Sequence, residues 1–287
     1  MKKTAEIIGS KIAILMSTYN GELFLNKQIN SLLNQTHINW TLYVRDDGST
    51  DNTLNILKKY KKAYPFKINI IKDDLGNLTS AFSFMRLLSV VNADYFMFCD
   101  QDDVWLPFKI EKTYNKMKEI ELTNQNKGAL VFTNLTIVDS KLNILERSMW
   151  DFLNINPENA KNIYSAAVSS TVTGCTMMIN KALKNKVIPY PKELLMHDWW
   201  VSLNATHFAS IGYIKEPMIY YRQHDYNVMG ANSSKSHNFL KKIFFIKNTL
   251  ISNFNLFKML NALPFKISYL SFFLKKTQKL FSGTKNI

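Results

Sequence analysis

The sequence predicts an α/β fold, a mostly parallel sheet flanked by helices, with a basic helical tail at the C-terminus. Three observations carry that expectation. Short apolar runs alternate with helix-periodic segments through the first 135 residues, the pattern of a doubly wound sheet. Several of those runs stop abruptly in acidic or turn-forming residues. Beyond residue 234 the composition changes, and lysine becomes the only strongly charged residue type.

Each element has its own reason. Lys11–Ser17 is a continuous apolar run, as expected of a parallel strand buried on both faces. Gly21–Leu33 sets Leu23, Leu25, Ile29, Leu32 and Leu33 at helical spacing. Trp40–Arg45 reads as a second strand, stopped by Asp46-Asp47-Gly48-Ser49; Ser49 or Thr50 can cap the helix expected over 51–62. Lys67–Ile71 and Tyr95–Cys99 read as the third and fourth strands, separated by a helix over Leu78–Val91. Lys109–Ile120 reads as a helix and Ala129–Thr133 as a strand. The second half is less regular. A strand is expected in Val172–Ile179, a helix over Trp199–Phe208 and a further strand within Ile211–Tyr221. One continuous sheet is more economical than a division into two domains near residue 135.

Composition excludes several classes. The 287 residues are 46% hydrophobic and 20% charged, which suits a globular chain with a large core. Two cysteines without a CxxC pair argue against a disulfide scaffold or a structural zinc site of ordinary spacing. The N-terminus is too short and polar for a signal peptide, and no run of 18 apolar residues occurs; the expected location is cytoplasmic. Ten lysines and no acid lie in 235–287, leaving 26 basic residues against all 22 acids in the rest of the chain. Interspersed Phe239, Leu240, Ile243, Phe244, Leu256, Phe257, Leu270, Phe272 and Phe273 make that tail a candidate amphipathic segment for an anionic membrane surface. The alternative is a helical extension packed on the core. No nucleic-acid-binding signature is present, so nucleic acid is not an expected partner.

Three polar clusters sit where predicted strands end: Ser17-Thr18-Tyr19-Asn20, Asp46-Asp47-Gly48-Ser49 and Asp100-Gln101-Asp102-Asp103. In a parallel sheet they share one rim, where ligands of such folds bind. Carboxylates there can accept hydrogen bonds from a ribose or a pyrimidine N–H; Asp46–Ser49 alone also reads as a helix-capping turn. Asp100 and Asp102, two apart on an extended segment, point to one side. Their repulsion is relieved by a hard divalent cation, which favours carboxylates together with substrate phosphates.

These blocks resemble the nucleotide-sugar glycosyltransferases of family 2, which have a Rossmann-like GT-A fold. The likeness lies in Met16–Glu22, Arg45–Asp51 and Cys99–Trp105, and continues through Thr173-Gly174-Cys175, His197-Asp198-Trp199-Trp200 and Tyr221-Arg222-Gln223-His224. The rhamnosyltransferase-like branch is the most similar. The resemblance implies a domain over 1–234, with a nucleotide-binding half at 11–135 and an acceptor half at 136–234. It implies that Ser17 and Tyr19 line the base pocket, that Asp47 accepts the pyrimidine N3–H, and that Asp100 serves the ribose and the metal. Asp102 and His224 would hold Mn²⁺ or Mg²⁺, and Asp198 would be the general base. The chain departs from the branch at Asp225-Tyr226, in a loop expected over the donor, and at Thr79, where a basic residue is expected.

The expected activity is inverting, metal-dependent sugar transfer from a nucleotide-diphosphate donor, first dTDP-rhamnose and otherwise a UDP-hexose. The acceptor would be a lipid-linked or oligosaccharide precursor of capsule, O-antigen or another surface polysaccharide, reached from the inner face of the cytoplasmic membrane. Competing readings are a sugar nucleotidyltransferase, for which the Gly-rich, Arg-containing loop after the first strand is lacking, and a non-catalytic binding or scaffold module. A glycoside hydrolase would need paired carboxylates but neither the nucleotide-like rim nor a basic tail. Dehydrogenase and P-loop readings fail because GxGxxG and GxxxxGK[ST] are absent.

Overall fold

The computed structural model describes residues 10–124, 127–169, 171–224 and 253–283. Its centre is a nine-stranded sheet. The strands are β1 (Ile12–Thr18), β2 (Trp40–Asp46), β3 (Ile68–Ile71), β4 (Tyr95–Cys99), β5 (Val104–Trp105), β6 (Gly128–Val138), β7 (Ile144–Glu146), β8 (Met178–Asn180) and β9 (Ala209–Arg222). Their order is β3-β2-β1-β4-β8-β6-β9-β5, with β7 beside β6. β1, β2, β3 and β4 are mutually parallel, β8 runs against both β4 and β6, and β9 is parallel to β6. β1, β4 and β6 are buried almost throughout, which explains why they read as unbroken apolar runs rather than as alternations.

The helices are α1 (Leu25–Leu33), α2 (Thr53–Ala63), α3 (Thr79–Val90), α4 (Lys109–Thr123), α5 (Met149–Phe152), α6 (Ile163–Val168), α7 (Lys181–Val187), α8 (His197–Phe208), α9 (Asn253–Asn261) and α10 (Tyr269–Gly283). Register places the expected rim. Met16 pairs with Cys99, Ser17 with Arg45 and Thr18 with Asp46, so all three polar clusters leave the sheet side by side.

The second half differs most from expectation. The strand expected at 129–133 is twice as long, because β9 runs alongside β6 across two register shifts. Most of 172–179 is not strand: Gly174–Thr176 forms a 3₁₀ turn and only β8 pairs. α8 is buried on every side from His197 to Ala205, as a helix without an amphipathic face must be. Trp199 donates its indole N–H to Ala166 O at 2.7 Å and Trp200 to Val187 O at 2.9 Å; both rings are core, anchoring α6 and α7.

The described part of the tail packs on the body. Leu256, Met259, Leu260, Leu263 and Phe272 are buried, and the Phe265 ring stacks on His207 of α8 at 4.3 Å. Leu270, Phe273 and Leu274 stay exposed among the described residues. The tail segment 235–252, and Asp225-Tyr226 in the expected donor loop, lie outside the described residues.

Candidate functional site

The adjacent carboxylates Asp46 and Asp47 divide the work of their turn. Asp46 builds it: Oδ1 accepts from Thr18 Oγ1 (2.8 Å) and Ser49 Oγ (2.6 Å), and Oδ2 from the Ser49 N–H (2.9 Å). Asp47 lies on the other side of the pleat and is buried. Its Oδ1 accepts both the Arg45 guanidinium and the Leu78 N–H. Asn77 Nδ2 also donates to the Asp47 carbonyl at 2.9 Å. Arg45 in turn holds Asp73, which Arg86 meets at 3.1 Å. The hydrogen bonds from Arg45 hold the Asp73 carboxyl below the usual range despite its burial. Segment 73–78 therefore forms a wall around Asp47. Ser17 Oγ donates to Ser83 Oγ at 2.8 Å, and Tyr19 is 51% exposed beside the same rim.

The acidic loop after β4 is gripped from β9. The Arg222 Nε donates to Asp102 O at 2.6 Å, its N–H to Asp103 Oδ1 at 3.2 Å and its Nη1 to Ser140 O at 2.5 Å. Two residues on, His224 Nε2 lies 3.0 Å from Asp102 Oδ2. The Phe24 ring stacks on His224 at 4.3 Å and carries the Arg222 guanidinium at 4.8 Å. Asp103 is fully buried; burial, then the charges of Asp102 and Asp100, push its carboxyl well above the ordinary range. Lys109 is equally buried, with Nζ 3.9 Å over the Trp105 ring, and burial draws its ammonium down to about 8.

Two groups of atoms result that could hold a metal ion. Asp102 and His224 make one pair. Asp100, Asp103 and Cys175 make the other, with their ligand atoms within 4.8 Å of one another. The 3.0 Å Asp102–His224 contact is a hydrogen bond or ion pair, and it brings a carboxylate oxygen and an imidazole nitrogen to one place. Asp100, on the same loop, is grouped with Asp103 and Cys175 rather than with this pair. The donor set fits a hard divalent ion.

Asp198 opens α8. Its Oδ2 accepts the Gly174 N–H at 3.1 Å and its Oδ1 the Trp199 N–H at 2.7 Å. Gly174 is required there, since a Cβ would lie 2.6 Å from His197 Nε2. His197 packs against Phe84 at 4.3 Å and Phe98 at 5.2 Å, and Phe98 is two residues from Asp100. The neighbour of Gly174, Cys175, closes the link by meeting Asp100 and Asp103. One turn thus joins Asp198 to the acidic loop.

Sequence reasoning gave Arg45, Gln101, Lys109, Gly174 and Arg222 no role. Arg45, Gln101, Gly174 and Arg222 stood inside the quoted blocks, which was the available signal; Lys109 offered none beyond a helix start.

Comparison with known proteins follows this geometry. The model of the family described as Glycosyl transferase family 2 matches residues 13–185. The dTDP-rhamnosyl transferase RfbG of Shigella flexneri is 30% identical over 242 residues, covering 76% of this chain and 75% of that protein. Among solved structures, S. aureus TarS 1–349 in complex with UDP-GlcNAc superposes with a TM-score of 0.61 at 16% identity, over 94% of this chain and 71% of that one. The mannosyltransferase PcManGT of Pyrobaculum calidifontis, in complex with GDP-Man and Mn²⁺, does so at 0.53 and 13% identity, over 96% and 81%. Both share the GT-A fold.

Proposed function

The chain belongs to glycosyl transferase family 2, and from that premise we propose that it is an inverting, divalent-metal-dependent transferase. It moves a sugar, first rhamnose from dTDP-rhamnose, onto a saccharide acceptor in surface-polysaccharide synthesis. The donor assignment draws on the likeness to the dTDP-rhamnosyl transferase RfbG; a UDP-hexose is the alternative, since uracil and thymine present the same N3–H. The observation that carries the reading is the Gly174-Cys175 turn, which fixes Asp198 beside the acidic loop.

Each residue has a task. The exposed Tyr19 ring offers a face for the base, Ser17 lines the pocket, and Asp47 Oδ2, the oxygen not engaged by Arg45 or Leu78, accepts the N3–H. Asp100, Asp102 and His224 would hold Mn²⁺ or Mg²⁺, which when bound would supply Lewis-acid stabilisation of the departing diphosphate. Asp198 takes the proton of the acceptor hydroxyl. The N–H groups of Gly174 and Trp199 fix its position. Such a base contributes about 10²–10⁴-fold. One base and in-line displacement invert the anomeric carbon. Residues 11–135 serve the donor and 136–234 the acceptor.

A thermal-shift panel of dTDP, UDP, GDP and their sugars, with Mn²⁺ or with EDTA, tests this reading. A ligand at about 100 times its Kd adds about 2.7 kcal/mol. A metal-dependent shift with dTDP or UDP that disappears in Asp102→Ala is expected; no shift with any nucleotide overturns the reading.

We further propose that the outer face of α10, with Leu270, Phe273, Leu274 and the flanking Lys266 and Lys275, touches an anionic membrane carrying the acceptor. No helix among the described residues is long and apolar enough to cross a membrane. Replacing the three apolar residues by serine should lower co-flotation with anionic vesicles; unchanged flotation refutes the contact.

A further inference from the structure

Gln101 sits between Asp100 and Asp102 in sequence, yet its side chain turns back towards β1. Its Oε1 accepts the Tyr19 N–H at 2.9 Å and its Nε2 donates to the Tyr19 carbonyl at 2.9 Å. One primary amide thereby satisfies both backbone groups of one residue. β1 and β4 last pair at Met16 and Cys99; beyond that point the chains part, and the Gln101 amide supplies one more rung by side chain.

The chain makes room for this contact. A Cβ on Gly21 would lie 2.3 Å from Gln101 Oε1 and 2.5 Å from Cδ. All three atoms nearest to that position belong to the Gln101 side chain, so an alanine would displace the amide without meeting backbone first. The other ties of this loop run to the 46–53 turn: Asn20 N–H to Ser49 Oγ at 2.9 Å, Gly21 N–H to Thr53 Oγ1 at 2.8 Å, and Thr50 N–H to Asn20 Oδ1 at 2.8 Å. Tyr19 and Gln101 bond to each other through both backbone groups of Tyr19, so this amide is a side-chain bridge from the base loop to the acidic loop.

We propose that Gln101 is a positioning residue that couples occupancy of the base pocket to occupancy of the metal site. The proposal rests on the reading that Tyr19 lines the first site and that Asp100 and Asp102 belong to the second. Ordering either loop through this amide orders the other, so the second ligand pays less of the ordering cost. The coupling is reciprocal: each ligand tightens the other by the same factor. A nucleotide cannot isolate the effect, because its diphosphate meets the metal directly. A nucleoside lacking the ribose hydroxyls can, since it has neither the phosphate nor the hydroxyls that Asp100 is expected to meet.

The test is Mn²⁺ binding to the full chain, read by the electron paramagnetic resonance of free Mn²⁺, with and without saturating 3′-deoxythymidine or 2′,3′-dideoxyuridine. In the wild type the nucleoside should tighten Mn²⁺ about 5- to 10-fold, at the lower end of the usual range of such couplings. In Gln101→Ala, and in Gly21→Ala, which leaves Gln101 in place but expels its amide, the factor should fall to one. Mn²⁺ affinity without nucleoside should stay within about threefold, a split that general loss of structure would not give. Gln101→Glu keeps the acceptor for the Tyr19 N–H and loses the donor, so its factor should be intermediate. Independent binding of Mn²⁺ and nucleoside in the wild type, or a factor that survives in both alanine variants, overturns the coupling alone. A wild-type chain that binds neither ligand overturns both the coupling and the function on which it rests.

Discussion

Replacing Gly174 by alanine should remove most of the activity while sparing the nucleotide. The new Cβ would sit 2.6 Å from His197 Nε2, 3.1 Å from its Cε1 and 3.5 Å from Asp198 Cβ. Ordinary contact begins near the last of these, so something must move by roughly 1 Å. The His197 ring has nowhere to go, because it lies against the buried rings of Phe84 and Phe98. The start of α8 must shift instead, carrying Asp198 away from the Gly174 N–H. Overpacking costs about 1–3 kcal/mol, and a weakened hydrogen bond to a carboxylate up to about 1.5–3 kcal/mol more. Misplacement of a reacting group by about 1 Å costs about 10²-fold in rate. The assay is kcat for sugar transfer at saturating donor and Mn²⁺, alongside urea unfolding and nucleotide affinity. We expect kcat to fall about 10²-fold and the nucleotide Kd to stay within about threefold. In an Asp198→Asn background the same change should cost no further rate, because residues acting as a unit are not additive. A variant with kcat within about threefold of wild type and a stability loss below about 0.5 kcal/mol would refute the claim that this turn holds the base.

Two further predictions concern pH. Asp73 is held below the ordinary carboxyl value of 3.8 by Arg45 and Arg86, so its contribution is present at neutral pH and lost as pH falls through its folded value. Asp73→Asn should therefore destabilise by about 1.5–3 kcal/mol at pH 7, since buried Arg45 keeps Asp47 but loses a charged hydrogen-bond partner, and by progressively less as pH falls below 3.8; a loss that does not shrink on acidification in urea melts would contradict the pairing. Lys109 is drawn from 10.5 down to about 8 by burial. Between those values the unfolded chain holds more protons, so stability attributable to this residue should rise with pH, by on the order of 3 kcal/mol. The difference in stability between wild type and Lys109→Met should carry that slope between about pH 8 and pH 10; a flat difference would show that the ammonium is not buried in the folded chain.

The rim was legible because it depends on local order: apolar runs of strand length, each ending in polar residues, need only be parallel to bring those ends together. The division between Asp46 and Asp47 was not. Asp46 builds its own turn rather than capping the next helix, since α2 begins after Asn52 without a side-chain cap; Asp47 lies buried against Arg45 and the 73–78 wall, and which residue takes which place is a matter of tertiary register. Trp199 and Trp200 were ambiguous between core and acceptor wall for a similar reason. A helix buried on every side has no apolar stripe to orient it, and only the carbonyls of Ala166 and Val187 decide.

Arg222 and Lys109 show most clearly where a linear reading ends. A charged residue at a strand end or helix start is ordinarily solvated, and each of these sits in such a place in sequence. Their burial is produced by β5, a two-residue strand whose pairing of Val104 with Tyr220 and Trp105 with Ile219 spans more than a hundred residues. That pairing lays Arg222 across the carbonyl of Asp102 and the carboxylate of Asp103, and leaves Lys109 behind the same loop, over Trp105. Three carboxylates in four positions repel one another, and two buried cations supplied by the chain oppose that repulsion. The shape of the acidic loop is thus set by hydrogen bonds of the fold itself. These bonds hold Asp102 and Asp103 from the β9 side, whereas the stretch at Gln101 is tied towards β1 through Tyr19, so any ordering that a ligand brings is confined to that side of the loop.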